Sequence, residues 1–228
     1  MRLAPLAAIA FAAAPSLGFA ADAAHPAVVE LFQSQGCSSC PPANASLIEY
    51  SRRPDVLALT FAVDYWDRLG WKDTFASPVF TQRQYSYSHA GASTEVYTPQ
   101  VIVNGRVDGV GADSSEVLSL ARKADRGASG PQVSLSSGEA HIGAGDAPAA
   151  GADVWLVAYD PHVIDVPVAR GENAGRTLAH KNVVRELTRL GAWSGKAASY
   201  TLPPARGLAR ALLVQTAGAG PILAAARE

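Results

Sequence analysis

The two cysteines of this 228-residue chain carry its most reactive chemistry. Cys37 and Cys40 are separated by two serines and lie between an apolar run at residues 28–32 and a helix predicted over residues 42–52. At the start of a helix, unpaired N–H groups and the macrodipole stabilise a thiolate, which is the nucleophile of thiol–disulfide exchange. The spacing therefore predicts a dithiol–disulfide centre, with Cys37 as the attacking sulfur and Cys40 as the resolving sulfur.

A purely structural disulfide is the main alternative for this pair. A disulfide that closes so short a loop removes little conformational entropy from the unfolded chain, so it would stabilise the fold only weakly. The residues around the pair depart from the usual redox pattern, because Gly36 occupies a position that is usually aromatic in redox-active thioredoxins. Pro41 and Pro42 lack an N–H, so the helix is expected to begin near Cys40 and to leave Cys37 on the preceding loop.

The N-terminus has the composition of a secretory signal peptide over residues 1–20. Arg2 provides the positive charge, residues 3–14 form a short apolar run, and Gly18-Phe19-Ala20 is a small-x-small cleavage site. The run is too short for the alternative, an uncleaved membrane anchor. We therefore expect a periplasmic or secreted protein without a membrane span after cleavage, in a compartment where disulfides persist.

The charge balance and the motifs of the chain limit which partners and which classes of protein are expected. The chain has 19 basic and 20 acidic residues, and this balance predicts no nucleic-acid or anionic-membrane footprint. No phosphate-binding loop, Gly-x-Ser-x-Gly or His-Glu-x-x-His motif occurs, which argues against nucleotide-binding, hydrolase and zincin classes. We predict no cofactor and no resident metal. The expected partners are a thiol or disulfide substrate, either protein or small molecule, and a redox partner protein.

Turn and cap signals, taken without the cysteines, predict the elements of the N-terminal half. Ser77-Pro78 and Asp113 are helix-start signals, and Asn104-Gly105 is a strong hairpin turn signal. The predicted order is a strand at 27–32, a helix at 42–52, a strand at 56–63, a helix at 77–89, a hairpin at 100–110 and a helix at 113–126. This β-α-β-α-β-β-α order is that of a minimal thioredoxin-like α/β domain, which we place at residues 26–126.

The second half, residues 131–228, contains short β-type runs between Gly, Pro and Asp residues. Such spacing predicts a small antiparallel β-sandwich after the α/β domain. Residues 177–193 are ambiguous, because Val184 and Leu187 fit a helical period whereas the alternation from Leu178 onward fits a strand. We favour the strand.

Several motifs together resemble one family. They are Gly36-Cys37-Ser38-Ser39-Cys40-Pro41-Pro42-Ala43, Asp64-Tyr65-Trp66-Asp67-x-Leu69-Gly70-Trp71, Thr81-x-Arg83-Gln84 with Tyr97-Thr98-Pro99-Gln100, and His180-x-Asn182-Val183-Val184-Arg185. Over nearly its whole mature length the chain is similar to a domain-of-unknown-function family of bacterial secreted proteins with a thioredoxin-like fold. The resemblance implies the two-part architecture, and the wider thioredoxin-like superfamily supplies redox chemistry by analogy.

The same superfamily implies a substrate groove. Its members carry a cis-proline before the third strand, packed against the disulfide, and the residue before that proline can pair with an extended substrate. This points to Pro99 and Thr98, with a trans proline at a strand start as the alternative. Trp66 and Trp71 follow the second strand, at the edge where open α/β sheets bind ligands, so they either line the groove or pack beneath a long loop.

Polar residues in these segments have two interpretations each. Glu30 lies within an apolar strand and is a candidate proton relay by analogy with the buried aspartate of thioredoxins. Its spacing to the first cysteine is longer than usual, which favours the alternative of a structural carboxylate. Arg83 and Gln84 are candidate partners of Asp64 or Asp67, with a plain surface ion pair as the alternative.

The sequence favours a thiol–disulfide oxidoreductase that acts through Cys37 and Cys40. Two alternatives come from other classes of protein. One is a non-catalytic binding module whose disulfide only holds a loop. The other is a copper-handling protein in which His89 joins the two cysteines as ligands.

Overall fold

A computed structural model describes residues 21–136 and 138–228 of the chain. The predicted signal peptide, residues 1–20, lies outside the described residues. Within them, no helix combines the length and the apolar character that a membrane crossing requires.

The described chain folds into a mixed α/β structure. Its α-helices are α1 (Pro41–Tyr50), α2 (Pro78–His89) and α3 (Ser114–Lys123). Its strands are β1 (Ala27–Gln33), β2 (Val56–Ala62), β3 (Gln100–Val103), β4 (Val107–Gly109), β5 (Val133–Ser136), β6 (Glu139–Ile142), β7 (Ala152–Pro167), β8 (Thr177–Trp193), β9 (Ala198–Thr201), β10 (Ala209–Thr216) and β11 (Ile222–Arg227).

The N-terminal half has the element order that the sequence predicts. β1 is parallel to β2 and antiparallel to β3, and the β3–β4 hairpin turns at Asn104 and Gly105, both with positive φ. The start signals of two helices are also confirmed. The side chains of Ser77 and Asp113 accept hydrogen bonds from N–H groups in the first turns of α2 and α3.

The longer strands of the C-terminal half extend the same sheet, which corrects the predicted separate sandwich. The eight strands follow the order β11-β10-β7-β8-β2-β1-β3-β4. β8 joins beside β2 through a parallel pairing of Val183 with Thr60, whose hydroxyl donates to the carbonyl oxygen of Lys181 at 2.7 Å. The Asn182 amide adds a hydrogen bond to the carbonyl oxygen of Ala58 at 2.8 Å. Local sequence patterns do not reveal this junction, because its partners are more than 120 residues apart.

A three-stranded antiparallel sheet of order β5-β6-β9 packs on one face of the C-terminal strands. Its apolar residues meet those of β7, β10 and β11 in one cluster that includes Trp193. Two β layers are therefore present, but one of them belongs to the large sheet. The strand interpretation of residues 177–193 is confirmed as β8. A domain boundary between residues 126 and 131 stays a prediction.

Strand β1 is buried along its whole length, and its side chains alternate between two hydrophobic cores on opposite faces of the sheet. Val29 and Leu31 pack with residues of α1 and α3 on one face of the sheet. Val28 and Phe32 face the other side, where they meet α2 and strands of the C-terminal half. The second core therefore joins the two halves of the chain.

A buried ion pair crosses this second core. The Arg83 guanidinium donates to both carboxylate oxygens of Glu30, at 2.6 and 3.1 Å, and the two side chains are 4% and 1% exposed. Arg83 also donates to the Tyr87 hydroxyl at 2.8 Å and to the side-chain oxygen of Gln215 at 3.3 Å. The network therefore connects β1, α2 and β10.

Removal of one partner from this pair should destabilise the protein strongly. Arg83→Met leaves the Glu30 carboxylate buried without its counter-charge, so we expect the free energy of unfolding to fall by about 3–5 kcal/mol in chemical denaturation. Adding Glu30→Gln to this variant should recover part of the loss. Arg189→Met, which removes a more exposed pair with Asp153, is the control. A loss no larger than that of the control would contradict this interpretation.

Candidate functional site

The two cysteines form a disulfide in the turn between β1 and α1. The Cys40 N–H donates to the carbonyl oxygen of Cys37 at 3.2 Å, and α1 begins at Pro41, directly after Cys40. The first two residues of the helix are prolines without an N–H, and the Asn44 N–H already donates to Cys40. The helix end therefore offers few free donors to a thiolate, and Cys37 lies on the loop before it.

The Ser39 hydroxyl connects the disulfide to the neighbouring proline segment. Its oxygen lies 3.3 Å from Cys37 Sγ and 3.4 Å from the carbonyl oxygen of Thr98. A disulfide sulfur and a carbonyl oxygen carry no hydrogen, so the single hydrogen of the Ser39 hydroxyl is shared between these two acceptors. The Thr98–Pro99 peptide bond is cis, as the superfamily resemblance implies. The structure therefore brings Cys37 and Thr98 to the two sides of one exposed serine.

Both tryptophans that the sequence assigns to a groove pack around the disulfide loop. The Trp66 indole N–H donates to Thr98 Oγ1 at 2.8 Å, and the Trp71 indole N–H donates to Gln35 Oε1 at 2.9 Å. Gly36 lies close to Trp66, since a Cβ at position 36 would be 3.4 Å from the Trp66 Cβ. The aromatic surface beside the cysteines thus comes from the loop after β2. Contact of these indoles with a substrate stays a prediction.

Asp73 is a buried carboxylate that the sequence analysis missed. Its two oxygens accept hydrogen bonds from the N–H groups of Gln35, at 2.7 Å, and Phe75, at 2.8 Å. Burial raises the pKa of Asp73 to about 6, with a smaller contribution from the Asp67 carboxylate and an opposing effect of the two N–H donors. The sequence feature that could have pointed to Asp73 is an acidic residue within the aromatic loop that follows β2.

The turn between β7 and β8 reaches the disulfide loop, and sequence reasoning missed it entirely. The Ser38 N–H and hydroxyl donate to one oxygen of Glu172, at 3.2 and 2.7 Å. The buried Asn173 amide donates to the carbonyl oxygens of Gln35 and Cys37, both at 2.9 Å. The hydrogen bonds from Ser38 lower the pKa of Glu172. No local signal could find these residues, because they lie more than 130 positions away in the chain.

His180 lies in a buried pocket beside the start of α1. Its Nδ1 is 3.4 Å from Asn44 Nδ2, and the Phe75 ring meets its imidazole edge to face at 5.6 Å. Burial lowers the pKa of His180 to about 4, so the imidazole is neutral at pH 7. His180 was noted in the sequence only as part of a family motif, and its position on β8 explains its burial.

Glu30 is placed in a different network from the one that the proton-relay hypothesis requires. It lies on the face of β1 opposite to α1, with Phe32, and its carboxylate is held by Arg83. The structure therefore supports the alternative interpretation of Glu30 as a structural carboxylate. The spacing along a strand determines which residues share a face, but it does not reveal which face the cysteine-bearing helix covers.

The expected pairing of Arg83 or Gln84 with Asp64 or Asp67 is also wrong. Arg83 pairs with Glu30, as described above. The Gln84 amide donates to the carbonyl oxygen of Tyr97, at 2.7 Å, and to a side chain on β3. Asp64 instead accepts a hydrogen bond from the Thr81 hydroxyl at 2.6 Å. Gln84 therefore supports the segment that leads to the cis-proline.

A metal site has little support in the described part of the chain. Among residues 21–136 and 138–228, no three or more His, Cys, Asp or Glu side chains are grouped as a cation would require. His89, the ligand that the copper alternative needs, is exposed at the C-terminal end of α2. The disulfide occupies both sulfurs of the pair.

Comparison with known proteins places the chain in a family. The family described as "Protein of unknown function (DUF1223)" matches residues 28–215, and the chain belongs to this family. The resemblance noted in the sequence is therefore confirmed at the level of a domain of unknown function. No curated protein matches the sequence.

Two solved structures are similar to this one. A protein of Agrobacterium tumefaciens, determined by X-ray crystallography, is 33% identical with a TM-score of 0.72, over 88% of this chain and 92% of that one. HBP35 of Porphyromonas gingivalis is 14% identical with a TM-score of 0.61, over 90% of this chain and 74% of that one. At this identity the second likeness concerns the fold alone.

Replacement of His180 should change how stability depends on pH. A histidine with a pKa near 4 in the folded protein and about 6.5 when unfolded binds its proton mainly in the unfolded state, so stability falls as pH drops through this window. Relative to His180→Gln, the wild type should lose about 3 kcal/mol of unfolding free energy between pH 7 and pH 4. Denaturant titrations at both values measure this difference.

The difference between wild type and variant isolates His180, because Asp73 and the other carboxylates are present in both proteins. His89→Gln, which replaces an exposed histidine at the C-terminal end of α2, is the control for loss of an imidazole side chain. An equal gap between wild type and His180→Gln at pH 7 and pH 4 would show that the imidazole is not held neutral.

Proposed function

We propose that this protein is a thiol–disulfide oxidoreductase with a thioredoxin-like active centre, acting through Cys37 and Cys40. The observation that carries the proposal is the meeting of Cys37 and the cis Thr98–Pro99 segment at the Ser39 hydroxyl. A donor beside a sulfur stabilises it as a thiolate, the form that both attacks and leaves in exchange.

The arrangement of elements supports the finer, thioredoxin-like description of the N-terminal half. β1 lies between a parallel β2 and an antiparallel β3, the hairpin is completed by β4, and the cysteines precede the helix that follows β1. In this description the C-terminal half is an addition that joins at the edge of β2. The predicted secretory signal supports a periplasmic or extracellular site of action, where a redox partner protein would restore the pair.

The proposed reaction transfers two electrons in two exchange steps. In the reducing direction, the Cys37 thiolate attacks a substrate disulfide, forms a mixed disulfide and releases one substrate thiolate, which takes up a proton. The Cys40 thiolate then attacks Cys37 Sγ, forms the Cys37–Cys40 disulfide and releases the second substrate thiolate. The oxidising direction is the reverse sequence. Ser39 stabilises the negative charge on Cys37 in either direction.

A binding module with a structural disulfide remains the second candidate, because both cysteines are fully buried. A buried disulfide is protected from reduction, and the exposed polar loop around it could contact a protein partner without any chemistry. The two functions differ in what happens when one sulfur is removed.

Single serine variants should separate these functions by covalent trapping. With Cys40→Ser, the mixed disulfide cannot be resolved, so a secreted fraction should yield a substrate linked through Cys37. Cys37→Ser should trap no substrate through position 37. Non-reducing gel electrophoresis with mass spectrometry detects the adduct. A partner retained non-covalently by both variants, with no adduct in either, would contradict the oxidoreductase function and support the binding module.

The Ser39 hydroxyl should raise the reduction potential of the pair. The Ser39 hydroxyl lies 3.3 Å from Cys37 Sγ and can direct its hydrogen to a thiolate there, so Ser39→Ala removes a contact that favours the reduced, thiolate form. A tenfold loss of that preference lowers the potential by about 30 mV in a glutathione titration. Ser51→Ala is the matched control, since its hydroxyl donates to the carbonyl oxygen of Ile48 at the other end of α1. Equal potentials for wild type and Ser39→Ala would show that the contact does not act on the sulfur.

A further inference from the structure

The turn between β7 and β8, residues 168–176, covers the disulfide loop, and we call it the strap. Most of its side chains are exposed, but Val168 and Asn173 are buried. Asn173 is fully buried, which is unusual for an asparagine in a surface turn. Its amide is turned toward the carbonyl oxygens of Gln35 and Cys37.

Four hydrogen bonds join the strap to the disulfide loop. Two come from the Asn173 amide to the carbonyl oxygens of Gln35 and Cys37, and two reach Glu172 from the N–H and hydroxyl of Ser38. These hydrogen bonds reach residues before and after Cys37, whose sulfur is the one that an outside thiol would attack.

The strap also packs against the aromatic loop after β2. Gly171 lies close to Trp71, since a Cβ at position 171 would be 3.4 Å from the Trp71 Cβ.

The strap is braced internally, which fixes the orientation of Asn173. The N–H of Val168 donates to the carbonyl oxygen of Arg176 at 2.9 Å, and the N–H of Gly175 donates back to Val168 at 2.8 Å. The Arg176 guanidinium donates to Asn173 Oδ1 at 2.7 Å. With the oxygen occupied by this cation, the amide nitrogen is left to donate to the disulfide loop.

We propose that Asn173 is a positioning residue that holds the strap over Cys37 and thereby sets how fast a thiol reaches the disulfide. Both cysteines are fully buried, and the strap is hydrogen-bonded to the carbonyl oxygen of Cys37. In this proposal, attack on Cys37 Sγ therefore follows lifting of the strap. Two of the four hydrogen bonds between the strap and the disulfide loop join exposed groups, and residues 168–176 belong to neither of the cores on the two faces of the sheet. The strap can therefore open without unfolding of the core. The biological meaning of this control rests on the proposed function.

Dithiothreitol is the probe for this opening. One of its thiolates attacks Cys37 Sγ, the Cys37–Cys40 bond breaks, and Cys40 leaves with the electron pair and takes up a proton. The second thiolate of the same dithiothreitol molecule then attacks the dithiothreitol sulfur that is bonded to Cys37 and releases Cys37 as a thiolate. The protein gains two electrons, and dithiothreitol becomes a cyclic disulfide. Thiol alkylation at timed intervals gives the rate under native conditions.

Asn173→Ala should speed this reduction by tenfold or more, because both hydrogen bonds that close the strap over Cys37 are lost together. Glu172→Ala should speed it two- to threefold, since its side chain is exposed and its contacts are weaker in water. The double variant should be at least as fast as Asn173→Ala. Should Asn173→Ala fail to fold, Glu172→Ala carries the test, and an unchanged reduction rate in that variant overturns the proposal.

Asn104→Ala is the matched control. Asn104 is also a buried asparagine that donates to a backbone carbonyl, that of Ala124, but its hydrogen bond joins the β3–β4 turn to the end of α3 and not the strap to the disulfide loop. This variant should lose stability in denaturant titrations without a faster reduction below its unfolding transition. The comparison separates a role at the strap from a general loss of stability.

Two results would overturn the proposal. One is an unchanged reduction rate in Asn173→Ala and in Glu172→Ala. The other is an equal acceleration in Asn104→Ala, which would show that reduction proceeds through global unfolding. Neither result bears on the proposed function, which depends on the reduction potential and on trapping through Cys37. Conversely, a strap effect could be present on a disulfide that proves to be structural.

Discussion

The short parallel contact between β2 and β8 is the constraint on which the rest of the structure depends. Thr60 and Asn182 link the two strands by hydrogen bonds to backbone carbonyls, and this fixes the long β7–β8 hairpin beside the cysteine-bearing helix. The turn of that hairpin, residues 168–176, consequently lies over the disulfide loop. The candidate site is thus built by both halves of the chain, although all of its proposed reactive atoms come from the first half.

The disulfide is buried, but the segment over it is held by weaker contacts than the core of the protein. This difference explains how a buried disulfide can still react. The core of the molecule is held by apolar packing on both faces of the sheet and by the Glu30–Arg83 pair. The cover over Cys37 is held mainly by polar contacts, each of which contributes little net free energy because water can replace the partners once the strap lifts. The site can therefore open while the sheet remains folded.

The sequence identified what local chemistry determines. The Cys-x-x-Cys spacing, the Asn104-Gly105 turn and the Ser77-Pro78 helix start are each encoded within a few residues. The cis-proline at position 99 was instead implied by the resemblance to the thioredoxin-like superfamily, because the local sequence alone favours a trans bond. Asn173 carries no such signal, because its importance comes from a strand pairing more than 100 residues away from the cysteines. Glu30 shows the intermediate case, since the strand period fixed its neighbours but not the face on which the helix packs.

The measurement that tests the central claim most directly is the reduction potential of the Cys37–Cys40 pair. The mature protein is equilibrated with glutathione buffers, and the reduced fraction is read by thiol alkylation. The proposed function predicts a potential between roughly −120 and −270 mV, the range of exchange catalysts. A potential below about −300 mV would contradict it and mark the disulfide as structural.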